Sequence, residues 1–236
     1  LRRRRIDGLI MTTAAEADPD LTEARRRLDF PVVLFDRDVN GTADCVLVDH
    51  AEGIRQATQY LLSLGHRRIL LLTGGINTYP ARARIEGYKA AHAAVGADID
   101  PALIRTTGFD AITGFRESAA AFEGAQRPTA VIAGGLDMLA GVLKAARARK
   151  LRIPQDVSVI GGADSDLAML ATPAVSVVRS DYSELGNACA HLILERIGAA
   201  GATTTAPRRI IFPPELVIRD SCAPPADTSA GTTTLA

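Results

Sequence analysis

Short runs of aliphatic residues alternate along the chain with longer stretches in which apolar positions recur every three or four residues. Residues 6–11, 31–35 and 45–48 are solid apolar runs bounded by Gly, Pro and Asp, the pattern of buried parallel strands. Between the first two, residues 21–28 predict a short helix, capped by Asp20 and ending on Arg25–Arg27, where cations complement the helix dipole. Asp49 and Glu52 stand at the spacing of a capping box, and Ile54, Ala57, Leu61 and Leu64 follow at helical spacing up to Gly65. Residues 69–72 form the next strand, which breaks on Gly74 and Gly75.

The alternation then continues. Pro80 suits the first turn of a helix with Ile85, Tyr88, Ala91 and Val95 on one face and Gly96 as its stop. Strands are predicted at 103–107, 130–133 and 157–160, with helices at 114–122 and around Met138, Val142 and Ala146. Strands alternating with helices of this length imply right-handed βαβ units and parallel sheets. Beyond Pro173 come a strand at 175–178 and a helix carrying Leu185, Leu192, Ile193 and Ile197, opened by Asp181 and Glu184 and stopped by Gly198. Residues 198–207 read as a small-residue loop and 208–219 as two short strands around Pro213 and Pro214. From 221 onward the chain is Pro, Ala, Thr and Ser with little to bury, the composition of a disordered tail.

These strands divide into two groups, 6–48 and 69–161, which predict two α/β lobes with a cleft between them. The expected boundaries are an amino-terminal lobe over 1–66 and a carboxyl-terminal lobe over 67–174. A return to the first lobe is expected over 175–200, the end of the second over 201–221, and a disordered tail over 222–236. In this division the crossover passes through 66–68, with Gly74 and Gly75 at the cleft mouth.

Composition narrows the chemistry. The chain has 236 residues, 47% of them apolar but only 4% aromatic, so aliphatic side chains must fill a sizeable core. The 27 basic and 27 acidic residues cancel, which speaks against whole-chain attraction to nucleic acid or a membrane surface. Cys45, Cys189 and Cys222 are odd in number and far apart, which fits a reducing, cytoplasmic setting rather than a disulfide framework or a zinc site. No apolar run has the ~18 residues of a membrane span. The basic run at 1–5 reads as the tail of a helix whose start is missing, which implies an amino-terminal truncation.

No catalytic constellation assembles. A Gly-x-Ser-x-Gly elbow, a His-Glu-x-x-His pair and a phosphate-binding Gly-Lys-Ser/Thr loop are all absent from the sequence. No cofactor or metal site is expected. The residues that suit binding a small polar molecule lie at strand ends. Arg82 and Arg84 follow the loop after 69–72, Phe109 follows 103–107, and Asp164 and Asp166 follow 157–160. Fork donors, a stacking ring and acidic acceptors at such positions match the usual ligand crevice of open α/β sheets.

Several blocks together resemble one family. They are Pro31-Val-Val-Leu-Phe-Asp-Arg-Asp, Asp49-His-Ala-Glu-Gly, Leu64-Gly-His-Arg-Arg-Ile and Arg84-Ile-Glu-Gly-Tyr in the first half. Pro128-Thr-Ala-Val-Ile, Ile153-Pro-Gln-Asp-Val-Ser-Val-Ile-Gly and Glu215-Leu-Val-Ile-Arg-Asp-Ser complete the set in the second. In this order they are similar to the effector-binding core of the lactose-repressor (LacI/GalR) family. The resemblance implies a two-lobed periplasmic-binding-protein-like fold with an incomplete amino-terminal lobe, a homodimer, and a small effector in the interlobe cleft. It also implies operator binding only through an amino-terminal helix-turn-helix absent from this chain. By the same resemblance Arg84 is a ligand contact and Phe109 a stacking position. Gly135 stands near where the family usually has an amide, and Ala163 replaces its ligand-facing carboxylate, leaving Asp164 or Asp166 as acceptors. An ordinary hexose therefore fits poorly. The alternative reading is a solute-binding receptor for a transporter.

Overall fold

The computed structural model describes residues 6–124, 126–199 and 206–226. Two sheets organise them. The first joins β1 (Leu9–Met11), β2 (Val32–Phe35), β3 (Asp44–Val48) and β9 (Arg209–Phe212) in that order, every pairing parallel. The second contains β4 (Ile69–Thr73), β5 (Ile104–Thr106), β6 (Ala130–Ala133), β7 (Ser158–Gly161), β8 (Ser176–Arg179) and β10 (Glu215–Val217). Its order is β10-β8-β7-β6-β4-β5, parallel except for the β10 edge. Strands β4, β6 and β7 are buried at every position, which is why they read as continuous apolar runs rather than alternating ones.

The helices are α1 (Pro19–Arg26), α2 (His50–Ser63), α3 (Tyr79–Ala94), α4 (Ala111–Glu123), α5 (Leu136–Ala148), α6 (Asp166–Leu170) and α7 (Tyr182–Gly198). Aspartates 18, 49, 110 and 181 accept backbone N–H groups at the starts of α1, α2, α4 and α7. The cap of α1 is Asp18 rather than the expected Asp20, because Pro19 occupies the first helical position and needs no N–H partner. The five-residue helix α6 has no counterpart among the sequence expectations; it is too short to show a periodic face.

Lobe membership differs from the sequence division in three places. Helix α2 packs on the second sheet, not the first: Ile54, Ala57, Leu61 and Leu62 share a core with Ile69, Leu71, Ile132 and Ile160. The first crossover therefore lies before His50, and His66–Arg68 sit at the amino-terminal end of β4, away from the cleft. His66 is buried there, held by the Thr129 hydroxyl at 2.8 Å and the Ala223 carbonyl at 2.9 Å. Within 175–200, β8 belongs to the second sheet, and only α7 returns to the first, where Leu185, Cys189 and Leu192 meet Val33, Val46 and Val48. Within 201–221, β9 extends the first sheet and only β10 the second.

The tail expectation also changes at its start. Ser221 is fully buried, and the Ala223 N–H donates to the Ser158 hydroxyl at 3.1 Å, so residues 222 and 223 are tied to the base of the second sheet. The expected basic helix tail at 1–5, most of the small-residue loop and residues 227–236 lie outside the described residues.

Candidate functional site

The carboxyl ends of the two sheets face each other, and the groups between them come from loops far apart in sequence. Arg84, on α3, is only 6% exposed. It donates no hydrogen bond to another described group, and its Nη1 is buried with no partner. Burial pushes its pKa down to about 10, still well above neutrality, so the guanidinium is charged and poorly solvated. Its carbon Cζ lies 5.4 Å from the centroid of the Phe109 ring, within cation–π range.

Phe109 sits in the loop after β5 and keeps 39% of its surface. Its ring lies directly over the backbone of Gly74 and Gly135, where an added Cβ would approach ring atoms within 1.9 Å and 2.6 Å respectively. Only glycine at these strand ends leaves room for the ring.

The first sheet contributes Asp36, immediately after β2 and held at a φ of 51°. Both its carboxylate oxygens accept from His50 Nε2, at 2.9 and 3.0 Å. Burial alone would raise the Asp36 pKa; the hydrogen bond from His50, the nearby Arg84 charge and the Val48 N–H hold it below the usual carboxylate range. Burial and then the neighbouring Arg84 lower the His50 pKa, so a neutral imidazole donates to an ionised carboxylate. Asp36 thus crosses between sheets to the first residue of α2.

A second contact crosses nearby. Glu16, 7% exposed, accepts from the Tyr79 N–H and from Arg82 Nη2, each at 2.7 Å, and from the Asp38 N–H at 3.2 Å. Thr78, at the start of α3, makes no capping bond of its own. A carboxylate from the opposite lobe therefore caps α3. Tyr79 completes the seam by donating its hydroxyl to the Val48 carbonyl at 3.0 Å.

Of the residues singled out from the sequence, the structure brings Arg84, Phe109 and Gly135 into one cluster. Arg82 does not join them, because its guanidinium is taken by Glu16. Asp164 is also committed: Arg219 Nη2 donates to its two oxygens at 2.8 and 2.9 Å, and Arg219 Nη1 donates to the Val175 carbonyl. Asp166 is exposed on the first turn of α6. Among the described residues no group of three His, Cys, Asp or Glu side chains is placed to hold a metal ion.

Sequence reasoning missed Glu16, Asp36 and His50 as site residues. Asp36 carried one legible signal, an acidic residue directly after a buried strand. Its pairing with His50 depends on how the lobes meet, which no local pattern encodes.

Comparison with known proteins agrees with this geometry. Residues 58–222 match the family described as periplasmic binding protein-like domain. The ribose operon repressor of Escherichia coli K12 is 33% identical over 198 residues, covering 84% of this chain but 60% of the repressor, so the chain spans under two thirds of that relative. A LacI regulator structure from Bacillus cereus superposes with a TM-score of 0.86 at 26% identity, covering 94% of this chain and 78% of that one. A LacI-family regulator from Enterococcus faecium with bound ribose gives 0.82 at 27%, covering 94% and 82%. The two sheets, the strand-end cluster and these relatives lead to one assignment: the chain belongs to the LacI/GalR family, as its periplasmic-binding-protein-like effector-binding core.

Proposed function

We propose that this chain is the sensing part of a DNA-binding transcriptional regulator, taking a small polar metabolite between its lobes and contacting operator DNA through a helix-turn-helix outside this sequence. The observation that carries the reading is Arg84: a buried, charged fork donor whose Nη1 has no hydrogen-bond partner, facing a half-exposed ring where the two sheets meet. A site of this kind holds a ligand by shape, stacking and hydrogen bonds; it supports binding, not turnover. The ligand contacts are Arg84, Phe109 and the backbone at Gly135, joined by Asp36. Asp164 acts through Arg219 rather than directly. The relatives found are repressors and regulators, which favours this reading over a transporter's receptor.

The regulator works as a homodimer in the cytoplasm. Ile112, Phe115 and Leu136 at the starts of α4 and α5, with Leu167, Met169 and Leu170 on α6, are exposed apolar side chains, the material of a subunit interface. Three free cysteines suit a reducing compartment.

A thermal-shift screen of sugars and related polar metabolites tests the binding claim, with ribose, named for the E. faecium structure, as the first probe. A ligand at 100 times its dissociation constant adds about 2.7 kcal/mol, which raises Tm by about 5–11 °C in a chain of this size. The shift should vanish in Arg84→Met. A shift that survives this substitution places the ligand elsewhere and defeats the proposal.

A further inference from the structure

The base of the second sheet, at the opposite end from the cleft, holds a cavity of about 1150 Å³. Its walls are the chain segments that enter three adjacent strands. Arg67 and Arg68 precede β4, Gln126, Arg127 and Thr129 precede β6, and Asp156 precedes β7. Pro225 closes one side, packed over Gly65, where a φ of 98° turns the chain out of α2. The buried His66 pins two of these walls, holding the Thr129 hydroxyl on one ring nitrogen and the Ala223 carbonyl on the other. Arg68 pins a third, donating from Nε to the Gln126 carbonyl at 2.8 Å. The cavity is therefore shaped before any ligand arrives, which lowers the ordering cost of binding.

The charges on the walls do not cancel. Arg68 faces Asp100, with both Nη groups within 3.3 Å of Oδ2. Asp156 accepts three bonds from Arg152, at 2.8, 2.9 and 3.1 Å, and these hold its carboxyl down to about 2. Two cations remain with no carboxylate bonded to them. Arg67 donates from Nη1 to the neutral carbonyls of Leu62 and His66. Arg127 makes no side-chain hydrogen bond or ion pair among the described residues, and its charge reaches Asp156 only through space.

A phosphate group suits these walls better than a carboxylate or a neutral molecule. It carries about −1.5 to −2 charge at pH 7 and three acceptor oxygens, so it can accept from two guanidinium forks rooted in different loops. A monocarboxylate is satisfied by one fork. Because the cations line a walled cavity rather than an open stripe, a small molecule fits and a duplex backbone does not. We propose that this basal cavity is a second ligand site, taking the phosphate group of a small metabolite, or the free ion, on Arg67 and Arg127. It is separate from the cleft at the far end of the sheet and does not depend on Arg84.

Calorimetric titration of the whole chain at physiological salt tests it, with glycerol 3-phosphate, inorganic phosphate and glycerol as probes. The titrations are repeated on Arg67→Gln, Arg127→Gln and Arg84→Gln after each variant's thermal melt confirms folding. Both phosphates should bind the parent, and glycerol should not. Arg67→Gln and Arg127→Gln should each weaken the phosphates about tenfold or more, the size a charge-assisted hydrogen bond supplies, while Arg84→Gln leaves them unchanged. Tighter binding of the ester than of the free ion identifies a phosphorylated metabolite, and equal binding identifies the ion. Absence of phosphate binding to the parent, or an affinity indifferent to both basal arginines, overturns the site. Loss of phosphate binding in Arg84→Gln moves the phosphate to the cleft and overturns it too.

Discussion

Arg84, buried with its Nη1 unpaired, lowers the stability of the free protein, as expected of a group held ready for the proposed ligand. A buried polar group left without a partner costs about 1–3 kcal/mol, more when charged. Replacing it with an apolar side chain of similar reach removes that penalty. Arg84→Met should therefore raise Tm, by about 2–4 °C for each kcal/mol recovered, while abolishing ligand binding. Scanning calorimetry checks the first effect and titration the second; a variant that melts lower than the parent contradicts the assignment of Arg84 as an unsatisfied group. His50 gives a pH signature at the same scale. Its folded pKa lies below the ordinary histidine value, lowered chiefly by burial, so on acidification the unfolded chain takes up the proton first. Stability should fall as pH drops through the unfolded value and level off once the folded value is passed. His66, lowered chiefly by burial, adds a loss of the same sign. His50→Gln should flatten part of the Tm decline between pH 7 and 5, leaving the His66 share. An unchanged slope would mean that His50 is not held neutral against Asp36.

At the scale of elements, two close contacts fix how the helices meet their neighbours. Gly87 on α3 lies against α2, and an added Cβ would come within 2.0 Å of the Ala51 carbonyl oxygen, a backbone atom that cannot turn aside. Gly87→Ala should force α2 and α3 apart and destabilise by about 1–3 kcal/mol, as overpacking does, despite alanine's better helix propensity. Urea unfolding measures it, and a neutral result would show that the helices yield easily. Glu16 caps α3 from the other lobe, so Glu16→Ala should lose about 0.5–2 kcal/mol by the same assay, the range for helix caps. It should also loosen the seam beside the ligand site. Most elements were legible in the sequence because the strands are buried on both faces and the helices begin on aspartates. Their allegiance was not. The stripe Ile54, Ala57, Leu61 shows that α2 has a buried face, yet nothing in that spacing says which sheet it covers. The site was half legible for the same reason: Arg84 and Phe109 follow strand ends in the second sheet, while Asp36, His50 and Glu16 become neighbours only when the lobes meet.

For the whole molecule, the absence of net charge speaks against DNA binding by this chain. With 27 basic and 27 acidic residues the chain lacks the charge excess from which non-specific affinity for duplex DNA arises. No retardation of duplex DNA should be detectable at physiological salt; tight, salt-sensitive binding would assign this chain a nucleic-acid surface of its own. The exposed apolar side chains of α4, α5 and α6 make a parallel claim about assembly. If they form the subunit interface, Ile112→Glu combined with Leu170→Glu should shift the sedimentation coefficient from dimer to monomer without lowering helix content. An unaltered sedimentation profile would remove that surface from the interface. The proposed ligand recognition in the cleft turns on one site, and a crystal structure of the chain with the tightest-binding small molecule of the sugar screen tests it most directly. Electron density for the ligand between the Arg84 guanidinium and the open face of the Phe109 ring, with Asp36 still on His50, is the predicted result. Density in any other place, with Arg84 still unpartnered, would contradict it.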